Sequence, residues 1–243
     1  MSTQDGAVIA MDGPSGAGKS TVARMLANRL GFLFLDSGAM YRAVALFLSE
    51  REIPLENESV ASVLQGLRLR FSKNGEKIFI QFAGEPERDV SDRIRSVAVT
   101  SLVSKVSALK PVREKLTNEQ RLIARGHNVV AEGRDTATVV FPNADRKLFL
   151  TASLEARAIR RQAERPELAT VPIERVATEI QARDDYDSHR ELAPLRPADG
   201  ALVIDTTHMK LPEVVDRLVE ICKDLGPKDT DHGSNTSREC ERE

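Results

Sequence analysis

Residues 13–20 read GPSGAGKS, directly after the apolar run AVIAM (7–11) and ahead of TVARMLANRLG (21–31). AVIAM has the length and composition of a buried strand. TVARMLANRLG places Val22, Met25, Leu26 and Leu30 on one helical face and stops at Gly31. Set between a strand and a helix, the pattern G-x-x-x-x-G-K-[ST] is a phosphate cradle. Its glycines let successive backbone N–H groups turn inward, and the helix adds the positive end of its dipole. Gly13, Pro14, Ser15, Gly16, Ala17, Gly18, Lys19, Ser20 and Thr21 are therefore the expected contacts to a nucleoside triphosphate. Lys19 would reach the outer phosphates and the Ser20 hydroxyl would ligate Mg²⁺. A chance glycine-rich turn matches the four fixed positions in roughly one chain of this length in a hundred.

The stretches FLFL (32–35), NVVAE (128–132), KLFLTAS (147–153) and ALVID (201–205) repeat the short apolar run, with helical patterns between them. Strands alternating with helices predict an α/β fold with a parallel sheet covered on both faces. LRLRFSKNGEKIFIQF (67–82) breaks the rhythm by alternating with period two on both sides of Asn74-Gly75. A two-residue turn there pairs Phe71 with Ile78, Leu69 with Ile80 and Leu67 with Phe82, all on one face of an antiparallel hairpin. Such a hairpin is foreign to a doubly wound sheet, so residues 60–100 read as a small inserted β subdomain. Two helices follow, IRSVAVTSLVSKVSAL and PVREKLTNEQRLIARG, the second opened by Pro111. The arginine-rich segment 154–187, interrupted by Pro166 and Pro172, reads as a mobile helical hairpin. A last helix over about 212–225 turns Val214, Leu218, Ile221, Cys222 and Leu225 inward and closes at Gly226. The polar stretch 227–243 has the composition of a disordered tail.

With 243 residues, 41% of them hydrophobic, the chain can bury a sizeable core. Lys and Arg total 35 against 37 Asp and Glu, a formal charge of −2, so there is no global positive field to hold nucleic acid or an anionic membrane. The beginning MSTQDG carries no leader pattern, no apolar run approaches a membrane span, and two cysteines make no metal or disulfide framework. A cytoplasmic protein with no membrane and no nucleic-acid partner is expected.

A triphosphate loop admits a small kinase, a GTPase switch or an ATP-driven binding module. Neither N-K-x-D nor D-x-x-G occurs, which disfavours the GTPase, and the length favours a compact kinase. A kinase needs arginines to neutralise the moving phosphoryl group, and the chain supplies three charged clusters. DSGAMYR contains Ser37, Tyr41 and Arg42, and EGRD contains Glu132, Arg134 and Asp135; each ends a strand at the carboxyl edge where such sheets bind ligands. The third cluster is the series Arg157, Arg160, Arg161, Arg183 and Arg190. Arg157 and Arg161, four apart, also fit a solvated helix face, whereas three charges ending a buried strand at EGRD are expensive to leave unpaired.

GPSGAGKS, LDSGAMYR, AGEPERDVSDRIRS, VSKVSALKPVR, EGRDTATVVFP, EARAIRR and ARDDYDSHRELAPL together, in this order, resemble the bacterial cytidylate kinases over about residues 7–225. The resemblance implies a P-loop kinase core (1–59 and 101–226) with a helical lid at about 155–185, and a 60–100 insert that binds the nucleoside monophosphate. It implies transfer of a phosphoryl group from ATP·Mg²⁺ to CMP or dCMP by a monomer. It assigns Ser104, Arg113 and Asp135 to the cytosine edge, Ser37, Arg42, Arg134 and Arg190 to the acceptor phosphate, and Arg183 and Asp187 to phosphate and ribose. Tyr41 packs on the nucleotide, and Arg157, Arg160 and Arg161 close over ATP. Lys19, Arg134, Arg183, Arg157 and Arg161 are the catalytic candidates. One departure concerns Ala137, where the family commonly carries glycine after G-R-D-x; alanine there requires ordinary backbone geometry.

Overall fold

The computed structural model describes residues 6–72 and 75–225. The expectations for Asn74 in the hairpin turn, for Gly226 as a helix stop and for the 227–243 tail lie outside those residues. Five parallel strands form the central sheet: β1 (Val8–Asp12), β2 (Leu33–Asp36), β6 (Val129–Glu132), β7 (Arg146–Thr151) and β8 (Leu202–Asp205), in the spatial order β2-β6-β1-β7-β8. The inner strands are short and apolar because both of their faces are covered, whereas the edge strand β8 buries Ile204 and leaves Leu202 and Val203 exposed, so the expected cover on both faces does not extend to that edge. Successive strand residues point to opposite faces, so Phe34 and Val130 join one core with α1 (Lys19–Leu30) and α8 (Leu211–Cys222), while Leu35, Val129 and Ala131 join the other. That second face is covered by α2 (Ser37–Glu50), α3 (Asn57–Leu64), α4 (Val97–Ala108) and α5 (Lys110–Ala124). In α1 the buried stripe is Val22, Ala23, Leu26, Ala27 and Leu30, and Met25 is exposed. Small alanines let the helix lie close to the sheet, which turns Met25 to the flank.

The hairpin forms in the register read from its alternation. β3 (Leu67–Phe71) pairs antiparallel with β4 (Ile78–Phe82), matching Leu67 with Phe82, Leu69 with Ile80 and Phe71 with Ile78. Ser72 accepts the Gly75 N–H, and Gly75 has φ 68°, a conformation open to glycine at little cost. The short β5 (Arg88–Asp89) adds a third strand. Leu67, Ile78 and Ile80 are buried in the same cluster as α2, α4 and α5. Arg51 clamps the hairpin to α2, its guanidinium 4.9 Å from the Phe47 ring centroid and 4.6 Å from that of Phe82. Because Ile80 is 2% exposed, Ile80→Ala should destabilise the protein by about 2–5 kcal/mol; denaturant unfolding measures this, and an unchanged midpoint would show the hairpin to be energetically detached from the core.

The arginine-rich segment is a helical hairpin of α6 (Leu154–Glu164) and α7 (Ile173–His189), held by its own small cluster of Ala158, Val176 and Ile180. Among the described residues, no helix is long and apolar enough to cross a membrane.

Candidate active site

The chain runs from β1 through α1 to β2, returns to β6 beside β1, and then crosses to β7 on the other side of β1. Loops leaving the carboxyl ends of neighbouring strands therefore diverge and open a crevice. GPSGAGKS lies in it. Gly16 and Gly18 have φ 76° and 80°, and a Cβ on Gly13 would lie 2.0 Å from the Leu150 carbonyl oxygen. The sequence needs glycine at these points for backbone shape and close approach. Gly18 caps α1 with no side-chain hydrogen bond, so the first N–H groups of the helix face the crevice.

Lys19 is buried, and its ammonium donates to the Pro14 carbonyl at 2.7 Å. Burial, reinforced by Arg134, pulls its pKa down to about 7. An arriving phosphate supplies the missing negative charge and favours the ammonium form. The Ser20 hydroxyl donates to Glu132 Oε1 at 2.7 Å, and the Ser37 hydroxyl to the Glu132 carbonyl at 2.7 Å. Burial and the neighbouring Asp36 push Glu132 up to about 7. Asp12, at the end of β1, accepts from Thr136 N and Oγ1 and from Ala137 N, each at 2.8 Å, which ties the loop after β6 to the start of the phosphate loop. Ala137 is absent from the positive-φ residues, so alanine is accommodated there in ordinary geometry. Gly133 is required by space: a Cβ would stand 2.5 Å from Ser37 Oγ.

One cavity of about 580 Å³ joins the phosphate loop to the far clusters. Ser37, Tyr41, Arg42, Arg113, Arg134, Asp135, Arg161, Arg183, Asp187 and Arg190 all line it. At its deep end Arg113 and Asp135, 6% and 4% exposed, form an ion pair, and Arg190 approaches the same carboxylate at 3.8 Å. Arg113 also donates to the Ser107 carbonyl at 3.0 Å and sits 5.5 Å from the Tyr41 ring centroid. Tyr41 Oη and Arg190 Nη2 are buried with no hydrogen-bond partner among the described residues, which marks a polar pocket built for a guest. Burial raises the pKa of Asp135. Between the two ends, Arg42 is held by Thr100 Oγ1 at 2.9 Å and Arg134 reaches Asp187 at 3.3 Å. Arg183 has a buried Nε with no hydrogen-bond partner among the described residues, and burial beside Arg134 and Arg42 pulls its pKa down to about 9. Arginines crowded together this way, short of counter-charge, form an anion receptor.

Of the expected loop contacts, Ser15, Gly16, Gly18, Lys19, Ser20 and Thr21 line the cavity while Gly13, Pro14 and Ala17 lie behind them, and three expected contacts outside the loop fall elsewhere. Arg157 is turned into the protein: its guanidinium donates to the Ala152 and Ser15 carbonyls at 3.0 and 2.9 Å and pairs with Asp184. Arg160 donates to Thr206 Oγ1 at 2.9 Å and to its carbonyl. Of the three α6 arginines expected over the donor, only Arg161 faces the cavity, donating to Ser15 Oγ at 3.3 Å. Arg157 lies in the first turn of α6, beneath the phosphate loop, and Arg161 one turn further along clears it. Ser104 does not line the cavity; Ser107, on the next turn of α4, does. Sequence reasoning missed Asp184, whose carboxylate accepts the Ser15 N–H at 2.8 Å across 169 residues, and also Ser107, Arg95 and Arg165 at the cavity wall. The repeated acids of ARDDYD were the only sequence signal for Asp184.

The family profile described as cytidylate kinase matches residues 9–224, from the first strand to the last helix. The chain belongs to the cytidylate kinase family. A cytidylate kinase of Carboxydothermus hydrogenoformans is 48% identical over 219 residues, covering 88% of this chain and 96% of that protein. One of Geobacter sulfurreducens is 44% identical over 221 residues, covering 90% and 94%. The residues matched by the family profile include the phosphate loop, the β3–β4 hairpin and every cavity residue named above.

Proposed function

We propose that this cytidylate kinase family member transfers the γ-phosphoryl group of ATP to CMP or dCMP, giving ADP and CDP or dCDP. The observation that carries the reading is one cavity with a phosphate loop at one end and the buried Arg113–Asp135 pair at the other. A carboxylate accepts from the cytosine N4 amino group and an arginine donates to the ring acceptors, so the pair presents the hydrogen-bonding complement of cytosine. Tyr41 offers an apolar ring beside it. Ser37, Arg42, Arg134 and Arg190 hold the acceptor phosphate, Asp187 the ribose, and Arg183 and Arg161 the transferring group.

The nucleophile is an oxygen of the acceptor phosphate, ionised at neutral pH, so no general base is needed. It attacks the γ-phosphorus in line while the bond to the β-phosphate oxygen breaks and ADP departs. Lys19 and the arginines stabilise charge spread over the equatorial oxygens. For Mg²⁺, the Ser20 hydroxyl and the Glu132 carboxylate are hard oxygen donors already in contact, with Asp36 nearby. They suit an ion that keeps several waters and takes few protein ligands. Bound there, it neutralises charge on the donor phosphates. Closure of the α6–α7 lid excludes water that otherwise hydrolyses ATP.

ADP release with ATP·Mg²⁺ and each of CMP, dCMP, UMP, AMP and GMP tests the reading. Fast turnover confined to CMP and dCMP is expected. Turnover with AMP or GMP at equal efficiency would overturn the assignment of the Arg113–Asp135 pair, and failure with all five would overturn the reaction.

A further inference from the structure

α6 ends at Glu164, and Arg165 follows it with φ −131° and ψ 99°, immediately before Pro166. The proline ring holds the preceding residue out of the helical region, so the dipeptide both stops the helix and fixes Arg165 in extended geometry. Its side chain then leaves the line of the α6 surface and lines the cavity. There it faces two other arginines. Arg42 stands on the acceptor side, anchored to Thr100, and Arg161 stands over the phosphate loop near Ser15. Burial first, and then the charge of Arg165, lowers the pKa of each. Among the described residues, Arg165 has one carboxylate within 4 Å, that of Glu167, at 3.9 Å and half exposed. Three guanidinium groups, from α2 and the lid, thus share one cavity wall, and among the described residues neither Arg42 nor Arg161 has a carboxylate within 4 Å to offset its charge.

Resting on the phosphoryl-transfer reading, we infer that Arg165 is a lid phosphate ligand that bridges the two substrates, donating to the terminal phosphate of the donor and to the phosphate of the acceptor at once. A guanidinium suits this role because its planar fork carries five N–H donors along several edges and can engage oxygens of two groups together. A lysine presents a single point charge. Because the full contact forms only when both phosphates are present, the lid is drawn down by the pair of substrates and only weakly by either alone.

The test is binding, by calorimetry, of adenosine and cytidine joined 5′ to 5′ through five phosphates, compared with CMP alone and with a non-hydrolysable ATP analogue alone. Arg165→Ala should weaken the joined compound by about tenfold to a hundredfold, as expected for a lost charged hydrogen bond. Each single nucleotide should weaken by much less, with an unchanged melting temperature. Arg165→Lys should recover only part of the loss. An unchanged affinity for the joined compound would overturn the inference. An equal loss with the ATP analogue alone would also overturn it, because Arg165 would then serve the donor only. If the wild type releases no ADP in response to CMP, the underlying reaction has failed, which is a different result from an active wild type whose Arg165→Ala variant binds the joined compound normally.

Discussion

Lys19→Ala should lower turnover with ATP and CMP by at least about a hundredfold, the scale set by removing one preorganised donor to a charge that develops in the transition state. The effect should fall on kcat more than on the KM of CMP, because Lys19 stands in the phosphate loop and the acceptor pocket lies at the other end of the cavity. The fold should survive. Among the described residues the Lys19 ammonium makes one hydrogen bond, to the Pro14 carbonyl, and burial already works against its charge, bringing its pKa to about 7. An unfolded lysine titrates near 10.4, so between about pH 7 and 10 the unfolded chain binds the additional proton. Through that window the wild type gains stability from this group as pH rises. The alanine variant should lack this gain, which melting curves at pH 7 and 9 measure. Normal turnover in the variant would refute the role of the loop.

Asp135→Ala acts at the opposite end of the cavity. It removes the carboxylate paired with Arg113, leaving a 6%-exposed guanidinium with the Ser107 carbonyl as its remaining close acceptor. Breaking a buried pair on one side costs about 3–5 kcal/mol, visible in chemical denaturation. The KM for CMP should rise about tenfold to a hundredfold from the lost base contact, and the KM for ATP should change far less. Equal rises for both nucleotides would place the acceptor pocket elsewhere. Asp135→Asn, which keeps the shape and one acceptor oxygen, should fold more securely and still show the CMP-selective loss.

Much of this molecule is written locally. GPSGAGKS carries its own geometry, since glycine at 16 and 18 is needed for the positive φ of a loop that opens a helix. The hairpin register follows from period-two alternation on both sides of a turn, because a one-residue slip would turn Leu67, Leu69 and Phe71 away from the core. EGRD announced itself by charge at the end of a buried strand.

What the local pattern could not decide is which charged groups face the ligand and which face the protein. Arg157 and Arg161 share a helix face in the sequence, yet one pairs with Asp184 beneath the phosphate loop and the other enters the cavity. Asp184 and Ser15 are 169 residues apart, and Asp12 and Thr136 are 124 apart. Such contacts come from strand order, in which β6 and β7 flank β1, and that order is set by burial of whole faces. The sequence by itself determined the phosphate loop, the alternation of strands and helices, and the register of the hairpin, because each rests on backbone conformation and periodicity over a few residues. Only the tertiary structure decided the partners of Arg157, Arg160 and Arg165, because the charge environment of a side chain depends on groups that folding brings from distant parts of the chain.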